Sequence, residues 1–367
     1  MDKTQIMARK VLIGGYFGFD NFGDEALLFV LINNLLKAGF KKEGITVLSH
    51  NPNLTSLKYK VNAKNRWNVF EVLGALFSSD ALVFTGGVFQ DKTSFKSFLY
   101  YFSLLYLAGL FNKTIVFYGI GIGPFQKPIT QKMFNFAAKK VKLITVRDRF
   151  SANFFTAHPG ILITCDPLWS IEPDYSFQSQ VTKINWELPI IGVSLRRDKL
   201  LREGQLWEIS DKLIRMINGM KDWQILLIPA MPSEDLSILF DVYDTVTSKI
   251  TAYERVYLIE NFSDFPIQEQ AGIIASCDAM ISMRYHPILV ALSNAKPAFG
   301  LIYDGKIRSL LDFASQSGVT FKDDINQPWS FFWQNLEHAQ DSARQAKERA
   351  NGLHKMNIKL LEGLLQF

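Results

Sequence analysis

Three side chains that can hold an anion lie close together in the C-terminal half of the sequence. Arg284 and His286 are two residues apart in MISMRYHP, and Lys306 follows the next strand-like run, in GLIYDGKIRSLL. An arginine grips a carboxylate or phosphate through paired hydrogen bonds, and a histidine exchanges a proton near neutral pH. A lone histidine is more often a packing residue, but His286 stands beside an arginine at a turn. The segment therefore predicts an anion pocket with a titratable member.

Arg147 is a fourth candidate cation, in the N-terminal half. It stands in TVRDRFS, at the carboxyl end of a predicted strand, where a guanidinium can bind a carboxylate or phosphate. The neighbouring Asp148 and Arg149 leave a structural pairing open as the alternative. We expect structural or surface roles for the remaining histidines, which lack such neighbours: His50, His158, His338 and His354.

A glycine-rich segment with short polar side chains lies near the N-terminus. GGYFGFDNFGDEALL, residues 14–28, contains Asp20, Asn21 and Asp24 and leads into a predicted helix. Its spacing matches neither a Walker A loop nor GxGxxG, and these short side chains suit sugar hydroxyls better than phosphate. We predict that they bind a sugar. A helix cap by Asp24 and a turn at Asp20 and Asn21 are the alternative.

Two further glycine segments follow predicted strands. FTGGVFQDKTS contains Gly86 and Gly87, which let a ligand approach the backbone, and Gln90 and Asp91, which could hydrogen-bond a polyol. A simple strand-to-helix turn would explain the same residues. YGIGIGP places Gly121 between two other glycines, a pattern typical of a flat backbone wall against a ligand or of close strand packing.

The elements that must position these residues alternate along the chain. β-Branched and aromatic runs predict strands at 11–16, 45–50, 81–86, 114–119, 143–147 and 161–164, and in a second cycle at 190–195, 224–229, 256–259, 279–283 and 297–302. Helical spacing predicts helices between them. Such alternation is typical of βαβ units, in which parallel strands form a sheet that helices cover on both faces.

The two cycles predict an α/β fold with two Rossmann-like parallel-sheet domains. We place the domains at residues 1–170 and 188–335, with a linker at 166–188 and a C-terminal helix in 336–367 that packs on the domains. Ligands bind open α/β sheets beyond the carboxyl ends of their strands. The candidate residues would therefore line a cleft between two facing sheets.

The composition excludes several classes of protein. With 367 residues, 48% hydrophobic and 20% charged, the chain is typical of folded proteins and unlike a disordered one. Its two cysteines, Cys165 and Cys277, are too few for a disulfide framework and have no metal-ligand spacing, so we expect no metal and a reducing compartment. The N-terminal residues lack the pattern of a secretory signal, which predicts a cytoplasmic location.

Charge is distributed unevenly. Residues 1–170 contain 20 of the 40 Lys and Arg but 10 of the 35 Asp and Glu, which leaves 20 and 25 for residues 171–367. The halves thus carry +10 and −5, and the first could face an anionic partner such as a phospholipid surface, unless its lysines are simply solvated. The apolar stretch 97–111 is shorter than the ~20 residues that a membrane span needs.

Taken together, these segments resemble the polysaccharide pyruvyl transferase family, in particular its CsaB-type bacterial branch. The resemblance covers residues 11–311 and rests, in order, on GYFGFDNFGDEALL, GGVFQDKTS, YGIGIGPF, VRDRFS, the pair Asp166 and Pro167, MRYH and YDGKI. It implies a GT-B-like architecture. It also implies transfer of the pyruvyl group of phosphoenolpyruvate to a sugar as a cyclic ketal, with release of phosphate.

The resemblance also implies roles for the candidate residues. Phosphoenolpyruvate would be the co-substrate, without a cofactor, on the second-domain side, and four cationic or protonatable residues and one glycine would bind it: Arg147, Arg284, His286, Lys306 and Gly121. We expect His286 to be the general acid, with phosphate binding as its alternative role. The first domain would hold the acceptor through Asp20, Asn21, Asp24, Gly86, Gly87, Gln90 and Asp91.

The acceptor implied by that branch is an N-acetylmannosamine unit of a lipid-linked cell-wall glycan precursor. A peripheral contact of residues 97–111 with the inner face of the membrane would fit such an acceptor; a buried core helix is the alternative. No nucleic-acid partner is expected.

Two other classes of function stay open from the sequence. A GT-B nucleotide-sugar glycosyltransferase would use Arg284 and Lys306 on a diphosphate and Glu260 or Asp304 on a ribose. A carbohydrate-binding or phosphate-binding protein without catalysis would need no histidine among its cations.

Overall fold

The structure is a computed structural model that describes residues 10–92, 94–156, 160–198 and 203–365, so the expectation for His158 lies outside the described residues. The described chain forms two compact units. Residues up to Phe19, from Leu27 to Pro167 and from Gly352 onward form the first unit, and Asp20–Ala26 with Leu168–Asn351 form the second. Each unit contains one wholly parallel sheet, which confirms the predicted α/β class.

The sheet of the first unit has seven strands in the order β3-β2-β1-β4-β5-β6-β7. They are β1 (Val11–Phe17), β2 (Ile45–Ser49), β3 (Asn62–Asn65), β4 (Ala81–Phe84), β5 (Thr114–Ile120), β6 (Leu143–Val146) and β7 (Ile161–Ile163). The central strands β1, β4 and β5 are buried along almost their whole length, as their apolar sequences require in a sheet covered on both faces. Strand β3 was not predicted, because its sequence NAKN is polar and it lies at the sheet edge.

Helices cover this sheet. They are α1 (Phe22–Lys37), α2 (Pro52–Tyr59), α3 (Val69–Ser78), α4 (Phe95–Leu110), α5 (Pro128–Ala138) and the short α6 (Arg149–Ala152). Helix α4, the apolar stretch singled out in the sequence, buries Phe98, Tyr101 and Leu105 in the core, which favours the core-helix alternative. Across the described ranges, every helix lacks the combined length and apolarity that a membrane span requires.

The second unit repeats the arrangement with six strands in the order β10-β9-β8-β11-β12-β13. They are β8 (Ile190–Ser194), β9 (Gln224–Leu227), β10 (Val256–Leu258), β11 (Ala279–Ser282), β12 (Ala298–Ile302) and β13 (Gly318–Thr320). Its helices are α7 (Glu203–Gly219), α8 (Pro232–Thr247), α9 (Ile267–Ala275), α10 (Tyr285–Ser293), α11 (Gly305–Ala314) and α12 (Asn326–Gln334).

The units are not contiguous in sequence, which differs from the predicted division at residues 166–188. Residues 168–188 belong to the second unit, where the backbone N–H of Asp174 donates to Gln268 at 2.9 Å. The C-terminal helix α13 (Leu336–Leu365) is shared: residues up to Asn351 group with the second unit and later ones with the first. Residues 20–26 also belong to the second unit, although the sequence placed them in the first domain.

Candidate active site

Arg284 is the N-cap of α10, directly after β11, and only 8% of it is exposed. Its Nε donates to both carboxylate oxygens of Asp235 at 3.2 Å, and its Nη2 donates to Asp235 and, at 2.9 Å, to Oε2 of Glu234. Its Nη1 makes no hydrogen bond to any residue that the structure describes. Two carboxylates therefore fix one edge of the guanidinium and leave two N–H donors for a ligand.

The acidic partners also decide the charge of this pair. Burial alone would lower the pKa of Arg284, but Asp235 and Glu234 raise it above its ordinary value, so the guanidinium stays protonated. Burial raises the pKa of Asp235, and Arg284 opposes that rise. Because the cation is matched by carboxylates, the site offers an anion directed donors rather than a large net positive charge.

Arg196 is a second cation here, which sequence reasoning missed. It follows β8, and its Nη2 lies 3.4 Å from Oε2 of Glu234, so it shares that carboxylate with Arg284. Its Cζ lies 5.5 Å from the centre of the Tyr303 ring. Its Nε is buried without a hydrogen-bond partner among the described residues. The detectable signal was a basic residue just beyond a strand, the same signal that identified Arg147.

His286 is the second residue of α10 and lies directly against Gly23. A Cβ atom built on Gly23 would lie 1.7 Å from Nδ1 of His286, far inside van der Waals contact, so only glycine fits beneath the ring. The Gly23 segment is held in place by a hydrogen bond of 2.9 Å from Phe22 N–H to Ala230 and by the edge-to-face contact of Phe22 with Phe262. The N-terminal motif and the histidine thus form one packed element, which the sequence did not predict.

The polar residues of that motif have different surroundings. The side chain of Asn21 accepts a hydrogen bond of 3.1 Å from the N–H of Gly23 and so caps α1, the role that the alternative had given to Asp24. Asp24 is half-buried within the first turn of the helix. Asp20 is exposed and has a left-handed backbone, with φ of 58°, a conformation that aspartate tolerates better than most residues.

Lys306 is the second residue of α11, which follows β12. Strands β11 and β12 are paired neighbours, so Lys306 and Arg284 stand at adjacent strand ends. Nζ of Lys306 lies 3.9 Å from Oδ2 of Asp304, and the backbone N–H of Lys306 donates to Oδ1 of Asp304 at 3.0 Å. Asp304 is therefore the N-cap of α11 and a partner of the lysine at once.

Arg147 belongs to the first unit, at the end of β6, and is buried with its guanidinium against backbone. Nη1 donates to Asp166 at 3.0 Å and Nε to Asp148 at 3.3 Å. A Cβ on Gly121 would lie 2.7 Å from Nη2, and one on Gly87 would lie 3.9 Å from it. Gly121 therefore provides the space in which the guanidinium lies, and the structural pairing with Asp148 that the sequence left open is present.

The residues after β4 divide into two groups. Gly86, with φ of 79°, accepts a hydrogen bond of 2.9 Å from Gly121 N–H, which ties the two glycine segments together beside Arg147. Gln90 is half-buried. Asp91 is buried and accepts from Thr130 at 2.6 Å and from the backbone N–H groups of residues 126 and 127. These bonds lower the pKa of Asp91, although its burial acts in the opposite direction. Asp91 therefore stabilises a turn, as the alternative explanation of this segment stated.

Within the described ranges, no three or more His, Cys, Asp or Glu side chains are grouped so that they could hold a metal ion. The chemistry of both clusters rests on arginine, lysine and histidine side chains with carboxylate partners.

The fold places the chain in a class of known proteins. S. aureus MnaA solved with UDP is 12% identical at a TM-score of 0.63, covering 98% of this chain and 97% of that one. UDP-GlcNAc 2-epimerase from Neisseria meningitidis bound to UDP-GlcNAc is 12% identical at a TM-score of 0.62, covering 98% of this chain and 100% of that one. The glycosyltransferase SnogD from Streptomyces nogalater is 13% identical at a TM-score of 0.56, covering 96% of this chain and 99% of that one. The fold is therefore the GT-B-like α/β fold of such epimerases and glycosyltransferases.

The sequence narrows the class to a family. Residues 21–305 match the model of the polysaccharide pyruvyl transferase family, and the chain belongs to that family. No curated protein sequence matches it significantly. The chain is accordingly a transferase that acts in polysaccharide pyruvylation, with a glycan acceptor, as the resemblance of its motifs predicted.

Proposed function

We propose that the chain transfers the pyruvyl group of phosphoenolpyruvate to two hydroxyls of one sugar, as a cyclic ketal, with release of phosphate. The acceptor we propose is an N-acetylmannosamine unit of a lipid-linked cell-wall glycan precursor, as in the CsaB-type branch. The observation that carries the proposal is the start of α10, where Arg284 is fixed by two carboxylates and His286 is fixed by Gly23.

The two anionic groups of phosphoenolpyruvate match the cationic N–H groups available in the second unit. Phosphoenolpyruvate carries a carboxylate and a phosphate, and a planar guanidinium binds either of them in a defined orientation. Nη1 of Arg284 has no protein partner in the described part of the chain, and the side chain of Arg196 is partly exposed beside it on Glu234. Lys306 adds an ammonium at the neighbouring strand end. Together they can bind both anionic groups of the donor.

His286 is proposed as the general acid. It gives a proton to the methylene carbon of phosphoenolpyruvate, and the cationic carbon next to it forms a bond to the first sugar hydroxyl oxygen. The bond from that carbon to the phosphate oxygen then breaks, phosphate leaves, and the second hydroxyl oxygen closes the ring. Of the two hydroxyl protons released, one restores His286 and the other leaves with phosphate. A ring wedged against Gly23 keeps the proton in a defined position.

Asp20 is our candidate base for a sugar hydroxyl, because its exposed carboxylate lies in the segment that packs against His286. The assignment of Arg147 to the donor stays a prediction, which an Arg147→Ala variant tests through the KM for phosphoenolpyruvate. Cytoplasmic location and peripheral contact with the membrane also stay predictions, tested by cell fractionation and liposome flotation.

The direct test is phosphate release from phosphoenolpyruvate in the presence of an N-acetylmannosamine acceptor, with mass analysis of the product. We expect a product heavier by one ketal-linked pyruvyl group and equimolar phosphate. Absence of both with a range of N-acetylmannosamine acceptors contradicts the acceptor, and absence of donor binding contradicts the reaction.

Two variants separate binding from proton transfer. Arg284→Gln removes donor N–H groups and should raise the KM for phosphoenolpyruvate by more than tenfold, because a charged hydrogen bond contributes about 1.5–3 kcal/mol. His286→Gln keeps a polar side chain but cannot donate the proton, and general acid catalysis contributes about 10²–10⁴-fold. We expect it to retain donor binding and lose kcat. Loss of binding with normal kcat would assign His286 to the phosphate instead.

A nucleotide-sugar glycosyltransferase is the second candidate, because solved structures with this fold are complexes with UDP and UDP-GlcNAc. Of its two candidate ribose carboxylates, Asp304 already caps α11 and Glu260 is exposed. Thermal unfolding distinguishes the candidates, since a ligand that binds the folded state raises the melting temperature. We expect stabilisation by phosphoenolpyruvate and none by UDP-sugars; the reverse result would favour the glycosyltransferase.

A further inference from the structure

Four aromatic side chains cover the carboxyl ends of three neighbouring strands in the first unit. We call them the aromatic platform: Tyr16, Phe19, His50 and Trp67. Tyr16 and Phe19 stack with ring centres 4.0 Å apart and planes 5° apart, and Phe19 stacks on His50 at 4.4 Å and 2°. Nε1 of Trp67 donates to Nδ1 of His50 at 3.1 Å. Trp67 and His50 are both exposed, so the platform faces solvent.

A buried cation holds the platform from behind. Arg66 is 3% exposed, and its Cζ lies 5.0 Å from the ring centre of Trp67, 5.2 Å from that of Phe19 and 5.9 Å from that of Tyr16. Its Nη1 donates to the carbonyl of Gly15 at 3.1 Å. Such contacts between a guanidinium and ring faces strengthen when they are desolvated. The rings are therefore fixed before any ligand arrives.

The burial of Arg66 lowers the stability of the folded protein, which indicates a functional reason for it. Arg66 has no carboxylate partner, and its Nε no hydrogen bond, among the residues that the structure describes. A buried charge without an opposite charge lowers stability. Preorganised side chains that are expensive to maintain are typical of functional sites.

The platform's place in the sheet relates it to Arg147. It covers the ends of β3, β2 and β1, and the next strands in the sheet are β4, β5 and β6. Gly87, Gly121 and Arg147 follow the carboxyl ends of these three strands. From β1 to β5 is two strand spacings, about 10 Å. The aromatic and the glycine-lined halves thus form one continuous edge of a single sheet.

We propose that the aromatic platform binds the acceptor: the C–H face of a pyranose ring stacks on the exposed ring of Trp67, and His50 hydrogen-bonds one of its hydroxyls. Phe19, which is stacked between Tyr16 and His50, supports the platform from within. Because Trp67 can only donate, the neutral imidazole of His50 accepts through Nδ1 and carries its proton on Nε2. His50 therefore offers the sugar an N–H donor beside an apolar surface. The proposal rests on the proposed function for the identity of the sugar, and it gives His50 a role that the sequence had not assigned.

Acceptor kinetics test the platform. Trp67→Ala and His50→Ala should each raise the KM for the N-acetylmannosamine acceptor about tenfold and leave the KM for phosphoenolpyruvate unchanged, as expected for the loss of one stacking or hydrogen-bonding contact. Trp67→Phe keeps a ring and should restore most of the affinity. Trp207→Ala removes a tryptophan of nearly equal exposure, 56% against 57%, from the second unit and is the matched control. Thermal unfolding of each variant verifies the fold.

Saturation-transfer NMR with the methyl glycoside of N-acetylmannosamine, without phosphoenolpyruvate, tests the platform independently of catalysis. We expect transfer to the ring C–H protons in the wild type and in Trp207→Ala, and little in Trp67→Ala. Equal acceptor KM or equal transfer in Trp67→Ala and wild type overturns the proposal. Transfer to the uracil of UDP that depends on Trp67, with none to the glycoside, also overturns it. If the wild type releases no phosphate, the proposed function fails, and the NMR result still decides the platform.

Discussion

Replacing Gly23 by alanine should inactivate the transferase through His286. The added methyl carbon would lie 1.7 Å from Nδ1, 2.3 Å from Cγ and 2.5 Å from Cε1 of the imidazole. Unbonded heavy atoms separate to about 3.5 Å, so the ring or the segment must move by about 1.5–2 Å. We expect kcat to fall by about 10²-fold or more, because a misplacement of about 1 Å can cost that much.

The stability effect is opposite in sign to that of an ordinary helical glycine. Alanine stabilises a helix interior by up to about 1 kcal/mol relative to glycine. Overpacking costs about 1–3 kcal/mol, so Gly23→Ala should lower the free energy of unfolding by about 1–2 kcal/mol. Gly74 lies inside α3, where an added methyl carbon would have no neighbouring atom within 4 Å, and Gly74→Ala is therefore the matched control, with unchanged activity.

The assay is steady-state phosphate release, with denaturant unfolding of the same samples. A double variant, Gly23→Ala with His286→Ala, should be no slower than His286→Ala alone, because both changes act through one side chain. Normal turnover in Gly23→Ala, or additive losses in the double variant, would refute the reasoning.

Three further predictions concern named contacts. Asp235→Asn breaks the buried ion pair with Arg284, so it should raise the KM for phosphoenolpyruvate and lower the free energy of unfolding, measured in urea titrations, by about 3 kcal/mol. The control is Asp241→Asn, which breaks the exposed ion pair with Arg197 and should change the free energy of unfolding by less than about 1 kcal/mol. Asp91→Asn should lower the free energy of unfolding at pH 7 by about 2 kcal/mol. Because the pKa of Asp91 is lowered in the folded protein, this difference in the free energy of unfolding between variant and wild type should be complete above pH 3.8 and should disappear as the pH falls through the folded-state pKa. Burial, with a smaller effect of Lys37, lowers the pKa of His354 from 6.5 to about 4, so the unfolded chain takes up the proton at a higher pH than the folded chain does. As the pH falls from 6.5 to 4, the free energy of unfolding of the wild type should therefore decrease by up to about 3 kcal/mol relative to that of His354→Leu, as measured by calorimetry at each pH.

Local patterns predicted the frame of both sheets. The runs in β1, β4, β5, β8, β11 and β12 are apolar for almost their whole length, because parallel strands covered on both faces require it. Two of the edge strands escaped prediction, since β3 is polar and the three residues of β13, GVT, include a single large apolar side chain. The edge strands β7 and β10 are equally short, but their sequences ILI and VYL are apolar, and both were predicted. Helix α2 was missed although Asn51 caps it and a proline stands in its first turn.

The candidate site was only partly predictable, for a physical reason. Arg284 and His286 are neighbours in sequence and follow a strand, so one motif revealed both. Their partners Asp235 and Gly23 are distant in sequence, and only the topology brings them close. His50 was set aside for lack of neighbours, yet its neighbours in space are Phe19 and Trp67. A site whose residues come from the ends of several strands cannot be predicted from any one short stretch of sequence.

The sharing of the chain between two non-contiguous units has a consequence for synthesis and dissection. A ribosome releases residues 20–26 long before the residues that they contact, Ala230, Phe262 and His286, so that segment stays without its final contacts until α10 has emerged. A gene fragment beginning at Leu168 would encode the imidazole without the glycine that seats it. Supplying the missing heptapeptide in trans would then be a complementation experiment, in which recovered donor binding reports the docking of a few N-terminal residues.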